Sequence, residues 1–393
     1  MSFQYNVTEP LNAKAEYTEN DVCDFMIQDT AEMDLVANSV VLSFDLLVEE
    51  PSGTRALNKQ IFFNNNAGAH CFVDSCNVST SLGQAEHISE YARMVAMFEV
   101  ASKADNDTFN TSDACEMISS SQDQSTGFCE GQISAGTGGT AIASDCDVVL
   151  KPRCVLNKMS ANLPFSRVGY VKLSITLAKV LDALFTNETS PTMKYVISNL
   201  KCRYKTAPTQ NQKVVMRSII GLKTSINSSN ANISAKVPGV CNAVSCIFLN
   251  QTDESVAAKD GQKLDKVNLD SVNFLFNDNL NKHITYDLTD RGAILQNFVE
   301  SIGDTGHNRV HANRWKGNFM GIGLNWGQMV DLTNQKFNIQ LKGKHNQLNA
   351  YAASLVAKSV GISQDKIEEA LASFQAVKHR LQKVAELNGV EYI

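Results

Sequence analysis

The sequence predicts a mainly β protein built from two consecutive antiparallel β-sandwich halves, and three observations lead there. Segments with strict two-residue alternation recur along the chain. Asn, Ser and Thr are abundant, and good helix formers cluster in only a few places. The length of 393 residues suits two domains of roughly 200 residues each.

The alternating segments come in order. Val40, Leu42, Phe44, Leu46 and Val48 take one face, with Ser43 and Asp45 on the other. Val171, Leu173, Ile175 and Leu177 alternate with Lys172, Ser174 and Thr176. From Tyr195 to Lys205 the pattern places Val196, Leu200, Cys202 and Tyr204 inward and Lys201, Arg203 and Lys205 outward. Phe337, Ile339 and Leu341 alternate with Asn338, Gln340 and Lys342. A period of two marks strands buried on one face. Further strands are expected at 61–63, 71–79, 146–150, 214–226, 241–249, 272–276 and 318–324.

Helical spacing appears in three places. Residues 87–100 carry Ile88, Tyr91, Val95 and Phe98; residues 290–302 carry Ile294, Leu295, Phe298, Val299 and Ile302 after Thr289, a good cap. The longest helix is expected from about Gln364 to Asn388, with Ser363 to cap it and Gly389 to end it. Its apolar stripe runs through Ile367, Phe374, Val377, Leu381 and Val384 in a heptad pattern. That stripe is the candidate interaction site, and it has two readings: packing on its own subunit or docking on a neighbouring chain.

Thr206 to Gln212 is polar and includes Pro208, one of only seven prolines, which marks a boundary. The expected organisation is an N-terminal arm (1–24), a first sandwich (25–206), a second sandwich (207–361) and a C-terminal amphipathic helix (362–393). In each half, strands lead to an amphipathic helix, then an aromatic-and-glycine segment (Pro164–Tyr170, Trp315–Gly321), then a closing alternating strand with outward lysines. One plan is used twice, and the first copy carries a long polar surface loop at about 102–145.

No catalytic, cofactor or metal site is expected. Cys71 and Cys76, like Cys241 and Cys246, fall in expected strands, where residues five apart face opposite ways and cannot share an ion. Asp304, His307 and His311 sit in a glycine-containing loop rather than on one helix face. The glycine run at 136–140 has no lysine for a phosphate loop, and Gly321-Ile322-Gly323 lacks a following βαβ unit, so tight strand packing explains it. The 10 cysteines are expected to be reduced and buried. A net charge of −6 with no basic block argues against strong nucleic-acid binding. No secretory signal and no run of about 18 apolar residues appears.

This order of elements resembles the double jelly-roll major capsid proteins of tailless icosahedral DNA viruses, the lineage of tectivirus-like phages, adenoviruses, virophages and polinton-like viruses. The resemblance covers about residues 25–345. It is carried by Asp34-Leu35-Val36-Ala37-Asn38-Ser39, Asn64-Asn65-Asn66-Ala67-Gly68-Ala69-His70-Cys71-Phe72-Val73, Ile88-Ser89-Glu90-Tyr91, Tyr195-Val196-Ile197-Ser198-Asn199-Leu200 and Asp331-Leu332-Thr333-Asn334-Gln335-Lys336-Phe337. It implies two eight-stranded antiparallel jelly rolls, each with a short helix, and a non-enzymatic structural protein. It further implies a homotrimer whose six jelly rolls form a pseudo-hexameric block of an icosahedral virion shell assembled inside the host cell. The 102–145 loop is then expected as a tower on the outer face. The implied partners are other copies of the chain, a penton protein, minor or cement capsid proteins and an internal membrane layer. The alternative is a penton, spike or other β-sandwich protein that binds a receptor or carbohydrate. The C-terminal helix departs from the lineage.

Overall fold

In the computed structural model the described residues are 3–50, 61–102, 115–118, 125–129, 141–186, 193–210, 212–226, 230–236, 240–265, 271–276, 281–287, 291–302, 321–331, 336–342, 363, 365–366, 385–387 and 390–392. The chain divides into two compact units. The first holds residues 1–225, 235–267 and 290–336; the second holds 226–234, 268–289 and 337–393.

In chain order the first strands are β1 (Gln4–Thr8), β2 (Glu16–Tyr17), β3 (Val22–Ile27), β4 (Met33–Leu35), β5 (Val41–Glu49), β6 (Ile61–Asn64), β7 (Val73–Thr80) and β8 (Gly83–Ile88). They are followed by helix α1 (Tyr91–Ser102), then β9 (Ser125–Cys129), β10 (Ala141–Ala143), β11 (Asp145–Leu150), β12 (Leu163–Pro164), β13 (Val171–Leu177), β14 (Phe185–Thr186) and β15 (Lys194–Pro208). One sheet has the order β11-β5-β15-β4-β12, with β1 and β2 also paired to β15. A second runs β3-β13-β7-β8 and a third β10-β9-β6-β14.

Alternation builds the core of this sandwich. Leu42, Phe44, Leu46 and Val48 of β5 are buried, as are Val171, Leu173, Ile175 and Leu177 of β13. They join one apolar cluster with Phe25, Phe72, Tyr91 and Tyr195; Phe72 meets Tyr195 edge-on at 4.8 Å. Burying each such side chain contributes roughly 1.5–3 kcal/mol, which drives the two sheets together.

The remaining strands are β16 (Asn230–Lys236), β17 (Val240–Ile247), β18 (Ser271–Phe276), β19 (Asn281–Asp287), β20 (Gly321–Asp331), β21 (Lys336–Lys342), β22 (Ala385–Leu387) and β23 (Val390–Tyr392), with helix α2 (Arg291–Ile302) between β19 and β20. They form sheets β16-β21-β18-β19, β17-β20 and β22-β23. In the first unit α2 buries Ile294 and Phe298 and comes very close to β20. A Cβ on Gly321 would lie 2.3 Å from the Phe298 ring, and one on Gly323 would lie 1.9 Å from Ser301 Oγ. The Gly-x-Gly pattern is therefore a helix–strand packing feature.

Several expectations need correction. β15 is continuous, but its ladder with β5 shifts between Ser198 and Lys201, where Asn199 takes a positive φ of 54°. This bulge reverses the phase, so Tyr195 and Ile197, not Val196, are buried before it, while Leu200, Cys202 and Tyr204 are buried after it. Ile88 belongs to β8, where it pairs with Cys76, and the helix begins only at Tyr91. Cys71 lies in a short 3-10 helix, Gly68–Phe72, rather than in a strand. Residues 214–226 make only single bridges, Met216 to Met159 and Ile220 to His87, because no neighbouring strand forms a ladder with them. The helix expected to run to Asn388 is not found at its end: Ala385–Leu387 pairs antiparallel with Val390–Tyr392, and the intervening pair in sequence is Asn-Gly, a favoured hairpin dipeptide. The 102–145 region is not wholly a surface loop, since β9 pairs with β6 and β10 and Glu116 is buried.

Candidate interaction surface

The pleat that buries one face of β5, β11 and β15 turns the other toward solvent. Cross-strand pairs share a face, so the register fixes who stands beside whom. Tyr5 pairs with Lys205 and Val7 with Arg203; Lys201 pairs with Ser43; Asp45 pairs with Asp147 and Ser43 with Val149. The Lys205 ammonium lies 5.0 Å from the Tyr5 ring centre, Arg203 donates to Ser43 Oγ at 3.0 Å, and Asn199 donates to Asp45 at 2.9 Å. A shallow depression of about 250 Å³ is lined by Ser43, Asp45, Asp147, Asn199, Lys201 and Arg203. Across the strands, apolar side chains on β1 give way to a basic row on β15 and an acidic row on β5 and β11.

Behind the opposite face lies a buried ionic cluster. Arg153 bonds Glu99 at 2.9 Å and Glu116 at 2.7 Å, and the Lys151 amide donates to Glu116 at 2.7 Å. Tyr91 accepts from the Arg153 amide at 2.8 Å, so its hydroxyl hydrogen is free to go to His70 Nδ1, 3.0 Å away. The other His70 nitrogen is 3.7 Å from Glu116, near enough for charge attraction but too far for a hydrogen bond. Burial opposes charge on Glu116, but His70, Arg153 and the amide outweigh it and hold its pKa down at about 2. Burial lowers the His70 pKa against the pull of Glu116. Gly68 is required here: its φ is +56°, and a Cβ would meet the Glu116 carbonyl at 2.4 Å. The cluster fastens the 115–118 segment to the sandwich.

A second set of charges ties Ile219, Lys223, Glu254 and residues 260–261 to β6, β8 and the start of α1. Glu86 accepts from the Val155 and Ile219 amides at 2.6 and 2.7 Å. Arg93 donates to the Gly261 carbonyl at 3.1 Å and pairs with Glu90 and Glu254, and Lys223 reaches Glu254 at 2.7 Å. Asp260, held by Asn64 at 2.8 Å, has its pKa pushed up to about 6 by burial.

The stripe residues Ile367, Phe374, Val377, Leu381 and Val384 lie outside the described residues, as do Asp304, His307, His311 and the 136–140 run. Cys71 and Cys76 are buried, and Cys241 and Cys246 share β17. Among the described residues no group of three or more His, Cys, Asp or Glu is placed to hold a metal. No helix among them is long and apolar enough to cross a membrane. The outward positions Asp45, Lys201, Arg203 and Lys205 were legible from alternation. Asp147, Tyr5 and the buried Glu116 were missed; only the strand register and the fold bring them into place.

No known family profile matches the chain. Curated relatives match over short stretches only. A UDP-N-acetylmuramoylalanine–D-glutamate ligase of Christiangramia forsetii is 46% identical over 70 residues, 16% of this chain and 16% of the ligase. The same enzyme of Streptococcus suis is 50% identical over 54 residues, 14% of this chain and 12% of the ligase. The chain thus spans under a fifth of the length of the curated relatives it matches. The solved structures align far more fully. PBCV-1 VP54, as fitted into the virophage Sputnik reconstruction, aligns with a TM-score of 0.51 at 10% identity, over 87% of this chain and 85% of that one. The PBCV-1 virus capsid chain aligns with a TM-score of 0.52 at 10% identity, over 86% and 84%. At this identity the likeness establishes a shared fold: the chain has the mainly β double jelly-roll architecture of these viral capsid proteins.

Proposed function

We propose that this chain is a major capsid protein that self-associates as a homotrimer, its six jelly rolls forming a pseudo-hexagonal block of an icosahedral shell. The observation that carries the reading is the extent of the likeness: an alignment over 86% of this chain and 84% of the PBCV-1 capsid chain is too long to be met by one sandwich alone. Upright jelly rolls bury their sheet edges and leave loops at both ends free to vary. The reading carries no catalysis. It places the chain in the virion after assembly inside the host cell, with neighbouring capsomers, a penton protein and minor capsid proteins as its partners. Negative-stain imaging of the purified chain tests it: blocks of hexagonal outline are expected, and uniformly monomeric particles at micromolar concentration would refute it.

The ligase-like stretch is assigned separately. We infer that it is the C-terminal end, where helical spacing replaces the strand alternation of the rest of the chain. Residues 343–393 also differ in composition, with eight alanines and none of the chain's cysteines, threonines or prolines. A stretch that spans 16% of a ligase lacks the rest of that enzyme, so it is read as an appendage without ligase activity. Limited proteolysis of the full chain should remove it and leave the oligomer intact; dissociation on its removal would contradict this assignment.

A further inference from the structure

The exposed face of the first sandwich sorts its charge by strand, and we propose that trimers dock to one another through it. The occupant is the same face of a second copy, turned over about a two-fold axis. This inference rests on the capsid reading above.

Across neighbouring strands, Tyr5 and Val7 stand on β1, Lys205, Arg203 and Lys201 on β15, Ser43 and Asp45 on β5, and Asp147 and Val149 on β11. With strands spaced about 4.8 Å apart, the face passes from basic to acidic within roughly 10 Å. Under a two-fold running along the strands between β15 and β5, each copy's Lys201 falls over the other's Ser43, one residue pair along the strand from Asp45, so the basic side chains reach the acidic ones diagonally in an isologous contact.

Two further features favour the same occupant. Asp45 and Asp147 stand directly opposite on adjacent strands, where like charges repel. Lys194 of β15 already pairs with Glu49 of β5, but among the described residues Lys201, Arg203 and Asp147 form no ion pair, which leaves these three charges for a partner. Second, Phe3, Tyr5 and Val7 are 48%, 77% and 53% exposed at the sheet margin, where an apolar row invites association. Under the same two-fold they fall against the opposite margin, where Val149 is 42% exposed. A contact of this kind is weak singly, salt-sensitive, and reinforced when many copies are held in one shell.

The test uses the full chain in two variants, Lys201→Glu/Arg203→Glu and Asp45→Lys/Asp147→Lys, with trimer followed by native mass and larger assemblies by light scattering at low salt. Each variant alone should keep the trimer and lose larger assemblies by roughly tenfold or more. An equal mixture should recover them, because an all-acidic face then meets an all-basic one. Undiminished assembly of either variant alone, no recovery on mixing, or loss of the trimer itself would overturn the proposed contact. Wild-type chain that forms no trimer would instead refute the capsid reading on which it rests.

Discussion

Glu116→Gln probes the buried cluster that pins the 115–118 segment. The substitution keeps the side chain's shape and removes its charge, leaving Arg153 with Glu99 alone and the Lys151 amide with a weaker acceptor. The depression of the Glu116 pKa from 4.5 to about 2 corresponds, at 1.36 kcal/mol per unit, to about 3 kcal/mol of native-state stabilisation. Breaking one side of a buried ion pair costs about 3–5 kcal/mol, which agrees. Because the folded pKa lies below the unfolded one, this contribution is complete above about pH 4.5 and is lost as pH falls toward 2. Urea unfolding of wild type and variant, at one protein concentration, should therefore give a gap of about 3 kcal/mol at pH 7 that closes toward pH 2. A gap that stays constant across that range, or none at pH 7, would refute the role assigned to the carboxylate.

The remaining predictions concern packing and a second carboxyl. Gly321→Ala should destabilise by about 1–3 kcal/mol through overpacking against Phe298, and Phe298→Leu in the same chain should restore part of the loss; simple additivity in thermal melts would contradict the close approach. Asn199→Val should cost about 1 kcal/mol or more, since a β-branched residue resists the positive φ of the bulge, whereas Asn199→Gly should be nearly neutral. Asp260 has its folded pKa raised from 3.8 to about 6, so stability should rise as pH falls through that interval. Asp260→Asn should abolish that slope, and an unchanged stability–pH slope between pH 6 and 4 would count against the assignment.

Strict alternation made β5 and β13 legible residue by residue, because one buried face and one wet face leave a direct mark on composition. The first half of β15 misled for a local reason: the bulge at Asn199 inserts one residue, and alternation read from its second half carries the wrong phase backward. Ile88 fits helical spacing with Tyr91 and Val95, yet its amide ladder with Cys76 puts it in a strand. Val215, Ile220 and Leu222 look strand-like, but strand formation needs a partner, and pairing is a tertiary property. The site was half legible for the same reason. Outward Asp45, Lys201 and Arg203 follow from period two, whereas their juxtaposition with Asp147 and Tyr5 depends on which strands become neighbours. Glu116 gave no signal, since a carboxylate in a polar stretch normally marks solvent and is buried here only because Arg153 arrives from 37 residues away.

The central claim, that two jelly rolls in one chain build a trimeric shell block, is tested most directly by the native mass of the purified full-length chain in solution. A species of three times the 43.0 kDa chain mass, persisting on dilution to nanomolar concentration, is predicted. A stable monomer under the same conditions would contradict the account.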